Sequence, residues 1–130
     1  MGKLNLSTTT QNNSNLESYF QQRVDQFLNT YIKPNNIIEE SIVYALEAPG
    51  KRVRPTLLYL VSDVLSIELD HADAIAGAIE TIHTYSLVHD DLPCMDDDDL
   101  RRGQPSLHKK YNEATAVLAG DAMQSMAIKM

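Results

Sequence analysis

Residues 83–103 read HTYSLVHDDLPCMDDDDLRRG, and within this stretch a helical pattern gives way to a strongly acidic segment. Six of the chain's 18 acidic residues are aspartates that lie between positions 90 and 99. The remaining 12 acidic residues nearly balance 11 basic ones, so the net charge of −7 is concentrated in this segment. Pro93 has no backbone N–H with which to continue a helix, so we expect the helix to break or kink there.

On both sides of this segment, apolar residues recur at spacings of three and four, which indicates amphipathic helices. Four such patterns precede it and one follows it, and no part of the sequence shows the alternation typical of strands. The sequence therefore predicts an all-α bundle of about five helices. The fourth helix is expected to bury a stripe that consists of Ala74, Ile75, Ala78, Ile79, Ile82 and Leu87. The last helix follows Ala114, Val117, Leu118, Ala122 and Met126.

The start of the first helix is predicted from a local pattern. Ser14 and Glu17 form the Ser-x-x-Glu sequence of a capping box, so we expect the helix to begin there. Residues 1–14 are then a flexible tail, and residues 15–130 form one domain. The apolar run 57–61 is compatible with a buried strand, but a helix is favoured because no other segment offers a partner strand.

Residues 96–110 and the end of the sequence each lack an expected feature, a helical period in the first case and a helix stop in the second. The polar stretch 96–110 contains Gly and Pro and no helical period, so it is predicted to be a loop. Met130 lies in an apolar helical pattern that no Gly, cap or polar tail follows. We therefore expect residues 15–130 to be the N-terminal part of a domain that is truncated at its C-terminus.

Charge and cysteine content argue against several classes of protein. A net charge of −7 disfavours nucleic-acid binding, since phosphate backbones require clustered Lys and Arg. Cys94 is the single cysteine, so no internal disulfide can form. The longest apolar run is far shorter than the roughly 20 residues of a membrane span, and no signal peptide is recognisable. The sequence therefore predicts a soluble cytoplasmic protein with no membrane span.

The aspartate segment needs a specific explanation, although a solvated acidic turn is the ordinary interpretation of such a run. Neighbouring carboxylates repel one another, and here two arginines follow them directly. Carboxylates without thiolates suit a hard cation, and Mg²⁺ commonly shares one or two carboxylates with substrate phosphates. A calcium loop of the EF-hand type is excluded, because its spacing of acids, its glycine and its final glutamate are absent. The segment thus predicts a Mg²⁺ site.

Basic residues near this segment indicate an anionic partner. Arg101 and Arg102 follow the aspartates, and the sequence GKRVRP at Gly50–Pro55 places three more basic residues at the predicted start of the third helix. Guanidinium groups match the geometry of phosphate, and a helix N-terminus attracts anions. Together with bound Mg²⁺, these groups predict one or two substrates that carry diphosphate.

The fourth helix relates His83 to the aspartates. His83 precedes Asp90 by seven residues, so the two lie within roughly 20° on one helix face, and His83 becomes a candidate donor to diphosphate. Asp96 follows Asp90 by six residues and would not return to that face on a continuous helix. We expect a bulge at Pro93 to bring Asp96 beside Asp90.

The GKRVRP sequence and residues 83–103 resemble the trans-isoprenyl diphosphate synthases, also called polyprenyl synthetases. The likeness extends over about residues 16–130 and is greatest to the bacterial farnesyl diphosphate synthase type, with plant-like geranylgeranyl diphosphate synthases next. It implies an all-α isoprenoid synthase bundle around a deep cavity, of which this chain is the N-terminal portion. It also implies Mg²⁺-dependent condensation of isopentenyl diphosphate with an allylic diphosphate to give farnesyl diphosphate, and a homodimer at full length.

The resemblance also implies roles for individual acidic and basic residues. Asp90, Asp91 and Asp96 match catalytic aspartates that hold Mg²⁺. Arg101 matches a catalytic arginine that binds the allylic diphosphate. The positions that match isopentenyl diphosphate ligands are Lys51, Arg54, His83 and Arg102. No role is implied for Arg52, Asp97, Asp98, Asp99 or the Gly120–Asp121 pair.

The resemblance also implies that Tyr85 limits the length of the prenyl product. Tyr85 lies five residues before Asp90, on the helix that lines the cavity, and its ring would stop chain growth at fifteen carbons. A simple packing role for this aromatic ring is the alternative.

The family carries a second aspartate-rich motif on a later helix, and this sequence ends before it. We therefore expect the 130 residues alone to have little or no synthase activity. Two alternatives stay open, a geranylgeranyl diphosphate synthase and a non-catalytic helical module that serves as a partner or regulator.

Overall fold

The computed structural model describes residues 10–130, with side chains from residue 14 onward. Within this part the chain forms six helices and one two-stranded antiparallel sheet, which confirms the predicted all-α class. The elements are α1 (Thr10–Tyr31), α2 (Ile37–Glu47), α3 (Val53–Val64), α4 (Leu69–Asp90), β1 (Leu100–Arg101), β2 (Gln104–Pro105), α5 (Leu107–Lys110) and α6 (Glu113–Lys129). None of the helices between residues 10 and 130 has both the length and the apolar character that crossing a bilayer requires.

The helix starts differ in part from the prediction. Helix α1 already includes Thr10, so Ser14 lies inside it and the predicted capping box is wrong. The other residues of the predicted tail, 1–9, lie outside the part of the chain that the structure describes. Asparagines cap two later helices: the Asn36 side chain accepts a hydrogen bond from the Glu39 N–H, and that of Asn112 accepts one from the Thr115 N–H.

Helix α4 lies at the centre of the described fold, packed against α1, α3 and α6. Its buried residues are small or polar, namely Ala72, Ala76, Gly77, Glu80, Thr81, Thr84 and Val88. A Cβ atom at Gly77 would lie 2.6 Å from Cε1 of Phe27, so this position needs glycine for the close approach of α1. The predicted buried stripe is therefore wrong, because Ile75 and Ile82 are 55% and 40% exposed.

Helix α6 repeats this arrangement. Its buried face consists of Thr115, Ala116, Ala119, Gly120, Met123 and Ala127. Val117 and Leu118, which the helical pattern included, are exposed. Small side chains make up most of the buried face on both helices, so their backbones can approach closely.

Helix α3 contains the apolar run 57–61, so the helix favoured by the sequence is correct and the strand is not. Tyr59 is its most buried side chain, and its ring stacks on that of Phe20 with 4.9 Å between centroids. The Tyr59 hydroxyl donates to Oδ1 of Asp73 on α4, so α1, α3 and α4 meet at this ring. Burial, together with the hydrogen bond to Asp73, raises the pKa of Tyr59 well above its ordinary value.

The segment 96–110 is not the simple loop that the sequence predicted. Strands β1 and β2 pair Leu100 with Pro105 and Arg101 with Gln104, and helix α5 follows. The two residues between the strands, Arg102 and Gly103, have φ angles of 53° and 80°. Two successive positive φ angles define the type I′ turn that suits a tight hairpin. The positive φ of Arg102 was not apparent from its residue type, because arginine rarely adopts this conformation.

Candidate active site

The chain folds back on itself directly after α4. The Asp96 N–H donates to the carbonyl of Asp90 at 2.8 Å, and the Asp98 N–H donates to the carbonyl of Asp91 at 3.2 Å. The backbone of Asp96 therefore lies beside that of Asp90, as the expected bulge after Pro93 requires. The turn brings the acidic segment to the C-terminal end of α4.

The side chains of Asp90 and Asp96 have the properties of free metal donors. Asp90 is half-buried and Asp96 is exposed. Neither carboxylate forms a hydrogen bond or ion pair with any residue that the structure describes. Accessible, unneutralised carboxylate oxygens are the ligands that Mg²⁺ takes in proteins, so this donor set fits the implied ion.

Asp91 differs from both of its predicted partners, because its carboxylate is buried and paired. Its side chain is 3% exposed, whereas that of Arg101 is 32% exposed. Nε of Arg101 donates to Oδ2 of Asp91 at 3.1 Å, and Nη2 of Arg101 donates to Oδ1. These hydrogen bonds raise the pKa of the Arg101 guanidinium. The resemblance assigned Asp91 to Mg²⁺ and Arg101 to the allylic diphosphate, but the structure shows the two side chains hydrogen-bonded to each other.

A second acidic group lies further along the turn. Asp97, Asp99 and His108 each offer a ligand atom within 4.8 Å of the others, whereas Asp90, Asp91 and Asp96 do not form such a group of three within residues 10–130. Asp99 already forms an ion pair with Lys109, with 2.9 Å between Nζ of the lysine and Oδ1 of the aspartate. The buried His108 ring contacts the Ser106 hydroxyl through Nδ1, and its Nε2 has no hydrogen-bond partner in the described part of the chain.

The hairpin turn brings Arg102 to the GKRVRP segment. Nη1 of Arg102 donates to the carbonyl of Pro49 at 2.8 Å. A Cβ atom at Gly50 would lie 2.1 Å from that same Nη1, so the guanidinium packs directly on the glycine backbone. The two basic clusters, which are separated by 47 residues between Arg54 and Arg101, are therefore neighbours in the fold.

Arg52, to which the sequence assigned no role, anchors the GKRVRP segment. It has a positive φ of 48° and is buried. Its guanidinium donates to Glu80 on α4 at 2.9 Å, to Asp25 on α1 at 2.8 Å and to the carbonyl of Leu46 at 2.6 Å. Its neighbours Lys51 and Arg54 are exposed and form no ion pair within the described part of the chain. Arg52 thus holds the turn, while the flanking cations stay available.

His83 lies among these cations. Burial lowers the pKa of its imidazole below the ordinary value of 6.5, and the positive charge of Arg54 lowers it further, against an opposing effect of Glu80. Arg102 and Arg101 act in the same direction as Arg54. The ring is therefore neutral at pH 7, and an arriving anion would favour its protonation.

A cavity of about 470 Å³ brings Arg54 and His83 together with apolar residues of α4 and α6. Its lining residues are Arg54, Ala78, Ile79, Ile82, His83, Tyr85, Ser86, Ala127 and Ile128. Three of the six apolar residues that were wrongly expected to be the buried stripe of α4, Ala78, Ile79 and Ile82, therefore form part of its wall. The site combines a cationic side with an apolar wall, which suits a substrate with a charged head and a hydrocarbon tail.

Tyr85 has a defined orientation in this cavity. Its ring packs edge-on against His89, with 5.7 Å between centroids. Nε2 of His89 lies 3.1 Å from the Val117 carbonyl, and a Cβ atom at Gly120 would lie 2.0 Å from that nitrogen. Gly120 thus leaves room for the histidine on which Tyr85 packs, a relation that residue spacing alone did not reveal.

Comparison with known proteins gives consistent matches. The family model described as polyprenyl synthetase matches residues 35–130. A farnesyl diphosphate synthase of Haemophilus influenzae is 49% identical over 114 residues, which cover 85% of this chain and 39% of that protein. A chloroplastic geranylgeranyl pyrophosphate synthase of Capsicum annuum is 50% identical over 98 residues, covering 75% of this chain and 27% of that protein.

Solved structures agree with the sequence matches. The crystal structure of a geranyltransferase from Legionella pneumophila superimposes with a TM-score of 0.87 and 47% identity. The alignment covers 94% of this chain and 44% of that one. The chain therefore spans less than half the length of these relatives.

Proposed function

The chain belongs to the polyprenyl synthetase family, and from this premise we propose that it forms the diphosphate-binding part of a short-chain prenyltransferase. The reaction would join isopentenyl diphosphate to an allylic diphosphate, either dimethylallyl or geranyl. One observation carries the proposal: Arg54 and His83 line the same cavity as the apolar residues of α4, with Arg101 and Arg102 close enough to lower the pKa of His83.

Isopentenyl diphosphate would bind at the cationic side of the cavity. Arg54 and Lys51 carry exposed charges, and the His83 ring would donate a hydrogen bond to the diphosphate. Arg102, held by the Pro49 carbonyl, adds a guanidinium with further N–H groups to donate. These groups would fix the diphosphate and leave the hydrocarbon part of the substrate to the apolar wall.

Asp90 and Asp96 would hold Mg²⁺ at the end of α4, where their carboxylates have no partner among residues 10–130. When bound, the ion would neutralise the allylic diphosphate so that it can leave. Arg101 would bind the same diphosphate and balance the charge that develops on it. Asp90 follows the cavity residues Tyr85 and Ser86 along α4, so a diphosphate bound there would direct the allylic chain toward the cavity.

The condensation needs charge stabilisation and the exclusion of water rather than a nucleophilic side chain. The allylic C–O bond breaks, the double bond of isopentenyl diphosphate attacks the allylic carbon, and a proton leaves to the departing diphosphate. Ile79 and Ile82 would keep water from the allylic cation. No residue of the chain has to accept the proton permanently.

Farnesyl diphosphate is the product that Tyr85 favours in this proposal. Its ring lines the cavity and is fixed by His89, so it could close the cavity to a longer chain. Geranylgeranyl diphosphate is the second candidate, since the geranylgeranyl pyrophosphate synthase of Capsicum annuum is about as similar to this chain as the farnesyl diphosphate synthase of Haemophilus influenzae. A homodimer and a cytoplasmic location stay predictions from the sequence.

A chimera tests the proposed activity. In the Legionella pneumophila geranyltransferase, the part that aligns with this chain would be replaced by residues 16–130. We expect the chimera, but not the 130-residue chain alone, to convert labelled isopentenyl diphosphate and geranyl diphosphate to a longer prenyl diphosphate. The charge-matched variants Arg102→Ala and Lys33→Ala supply the internal comparison, since Lys33 is exposed and far from the cavity in sequence.

A folded chimera that binds neither substrate would contradict the proposal and favour the non-catalytic helical module. Equal loss of turnover in Arg102→Ala and Lys33→Ala would remove the assigned role of the cationic side. Product analysis of the active chimera would separate the farnesyl from the geranylgeranyl proposal.

A further inference from the structure

We propose that Arg52 and Glu80 are positioning residues for the binding of isopentenyl diphosphate. The inference rests on the proposed function, in which Lys51, Arg54 and His83 bind the diphosphate of this substrate. We call the buried ion pair of Arg52 and Glu80 the brace. It would act through its neighbours, because it holds the segment that carries the two cations and the helix that carries the histidine in one arrangement.

The brace lies where four helices meet. Arg52 is the last residue before α3, and its guanidinium reaches the other three helices. Its Nε donates to Asp25 of α1 at 2.8 Å, its Nη1 donates to Glu80 of α4 at 2.9 Å, and its Nη2 donates to the Leu46 carbonyl of α2 at 2.6 Å. The donors of a guanidinium lie in one rigid plane, so this single side chain sets the positions of three partners.

The backbone of Arg52 depends on these contacts. Its φ and ψ of 48° and 37° lie in the left-handed region, which non-glycine residues keep only where the surrounding structure imposes it. Gln21, one helical turn before Asp25 on α1, donates to the Lys51 carbonyl at 2.9 Å. Two successive residues are thus bound to α1, and the turn buries the Arg52 side chain while Lys51 and Arg54 stay exposed.

Glu80 connects the brace to the histidine. It precedes His83 by three residues on α4, about 4.5 Å along the helix axis, and its side chain is 3% exposed. Burial and the charge of Arg54 lower the pKa of the His83 imidazole, and the negative charge of Glu80 opposes them. Arg54 and His83 line the same cavity. Each of these two cavity residues therefore lies within three residues of one end of the brace.

Stability alone does not account for an ion pair at this place. Burying two charges has a large desolvation penalty, and apolar residues of similar volume often stabilise a fold as well or better. A guanidinium fork, unlike an apolar contact, fixes the directions of its partners. Such a pair suits a subsite whose cations are in place before the diphosphate arrives, because ordering them at that moment would lower the affinity.

The test compares two double variants of the full chain, each of which removes one arginine and one carboxylate and so keeps the net charge. Arg52→Met with Glu80→Leu removes both buried charges of the brace. Arg23→Met with Asp73→Asn is the matched control, because it breaks another ion pair between α1 and α4. Asp73 precedes His83 by ten residues, about 15 Å along the axis, so this control leaves the surroundings of the histidine intact.

Urea denaturation followed by circular dichroism first establishes that each variant is folded. Calorimetry then measures the affinity for inorganic pyrophosphate without added metal, so that the cationic groups bind it directly. We expect the brace variant to bind pyrophosphate about five- to twentyfold more weakly than the wild type, and the control to stay within about twofold. The brace substitutions should lower the affinity less in an Arg54→Ala background, because one of the positioned groups is then already absent.

A folded brace variant with wild-type affinity would overturn the inference, as would an equal loss in the control or an additive cycle with Arg54→Ala. If the brace variant does not fold, Arg52→Lys decides the question, because it keeps the charge but lacks the planar fork. We then expect an affinity loss of about threefold or more, and an unchanged affinity would overturn the inference. A wild-type chain that binds no pyrophosphate would contradict the proposed function and the inference together, whereas the other results leave the proposed function standing.

Discussion

Replacing Arg52 with alanine is expected to lower the free energy of unfolding by about 3–5 kcal/mol, the usual effect of breaking a buried ion pair. The size of this loss follows from the buried groups that would be left without their hydrogen-bond donor. The Glu80 side chain is 3% exposed and would lose its guanidinium partner, 2.9 Å away. The Leu46 carbonyl would also lose a donor at 2.6 Å. Asp25 is 44% exposed, so its own loss of the arginine contributes little.

Urea denaturation followed by circular dichroism measures this change. Arg54→Ala is the matched control, because it removes the same side chain two residues away, where it is exposed and unpaired, and we expect it to change stability by about 0.5 kcal/mol or less. In the double variant Arg52→Met with Glu80→Leu, which removes both buried charges, much of the lost stability should return. If Arg52→Ala were no more destabilising than Arg54→Ala, the anchoring role of Arg52 would be wrong.

Three further predictions concern the walls and charges of the site. Gly120→Ala should destabilise the fold by about 1–3 kcal/mol in a thermal melt, because its Cβ would meet His89 at 2.0 Å; a neutral result would mean that His89 does not pack there. The pKa of His83 is lowered in the folded chain, so on acidification the unfolded chain binds the proton first. The free energy of unfolding of the wild type should therefore fall relative to that of His83→Gln as the pH drops below 6.5. Parallel pH profiles of the two free energies would contradict this. Tyr85→Ala in the active chimera should lengthen the prenyl product, as chromatography of the dephosphorylated alcohols would detect, and an unchanged product would remove Tyr85 from chain-length control.

Helical periodicity predicted the fold class correctly but assigned the wrong faces to two helices. In α4 the largest apolar residues suggested the core, yet Gly77 and the neighbouring alanines are buried because close helix packing requires small side chains. Ile79 and Ile82 line the cavity instead. A rule that places large apolar residues in the core fails where such residues line a cavity instead.

The parts of the candidate site that depend on residue type alone could be predicted from the sequence. The parts that depend on which side chains pair in the fold could not. The cations at 51–54 and 101–102 indicated an anion site before their proximity was known. Sequence alone did not show that Asp91 would be buried against Arg101, since three aspartates of one motif look equivalent. Nor did it reveal the turn at Arg102, because its positive φ is imposed by the hairpin rather than by the residue.

A crystal structure of the chain with Mg²⁺ and isopentenyl diphosphate tests the central claim most directly. The account predicts the diphosphate against Arg54, His83 and Arg102, with the metal on Asp90 and Asp96 and the Asp91–Arg101 pair intact. A metal held by Asp97, Asp99 and His108, with the diphosphate away from the cavity of His83, would contradict it.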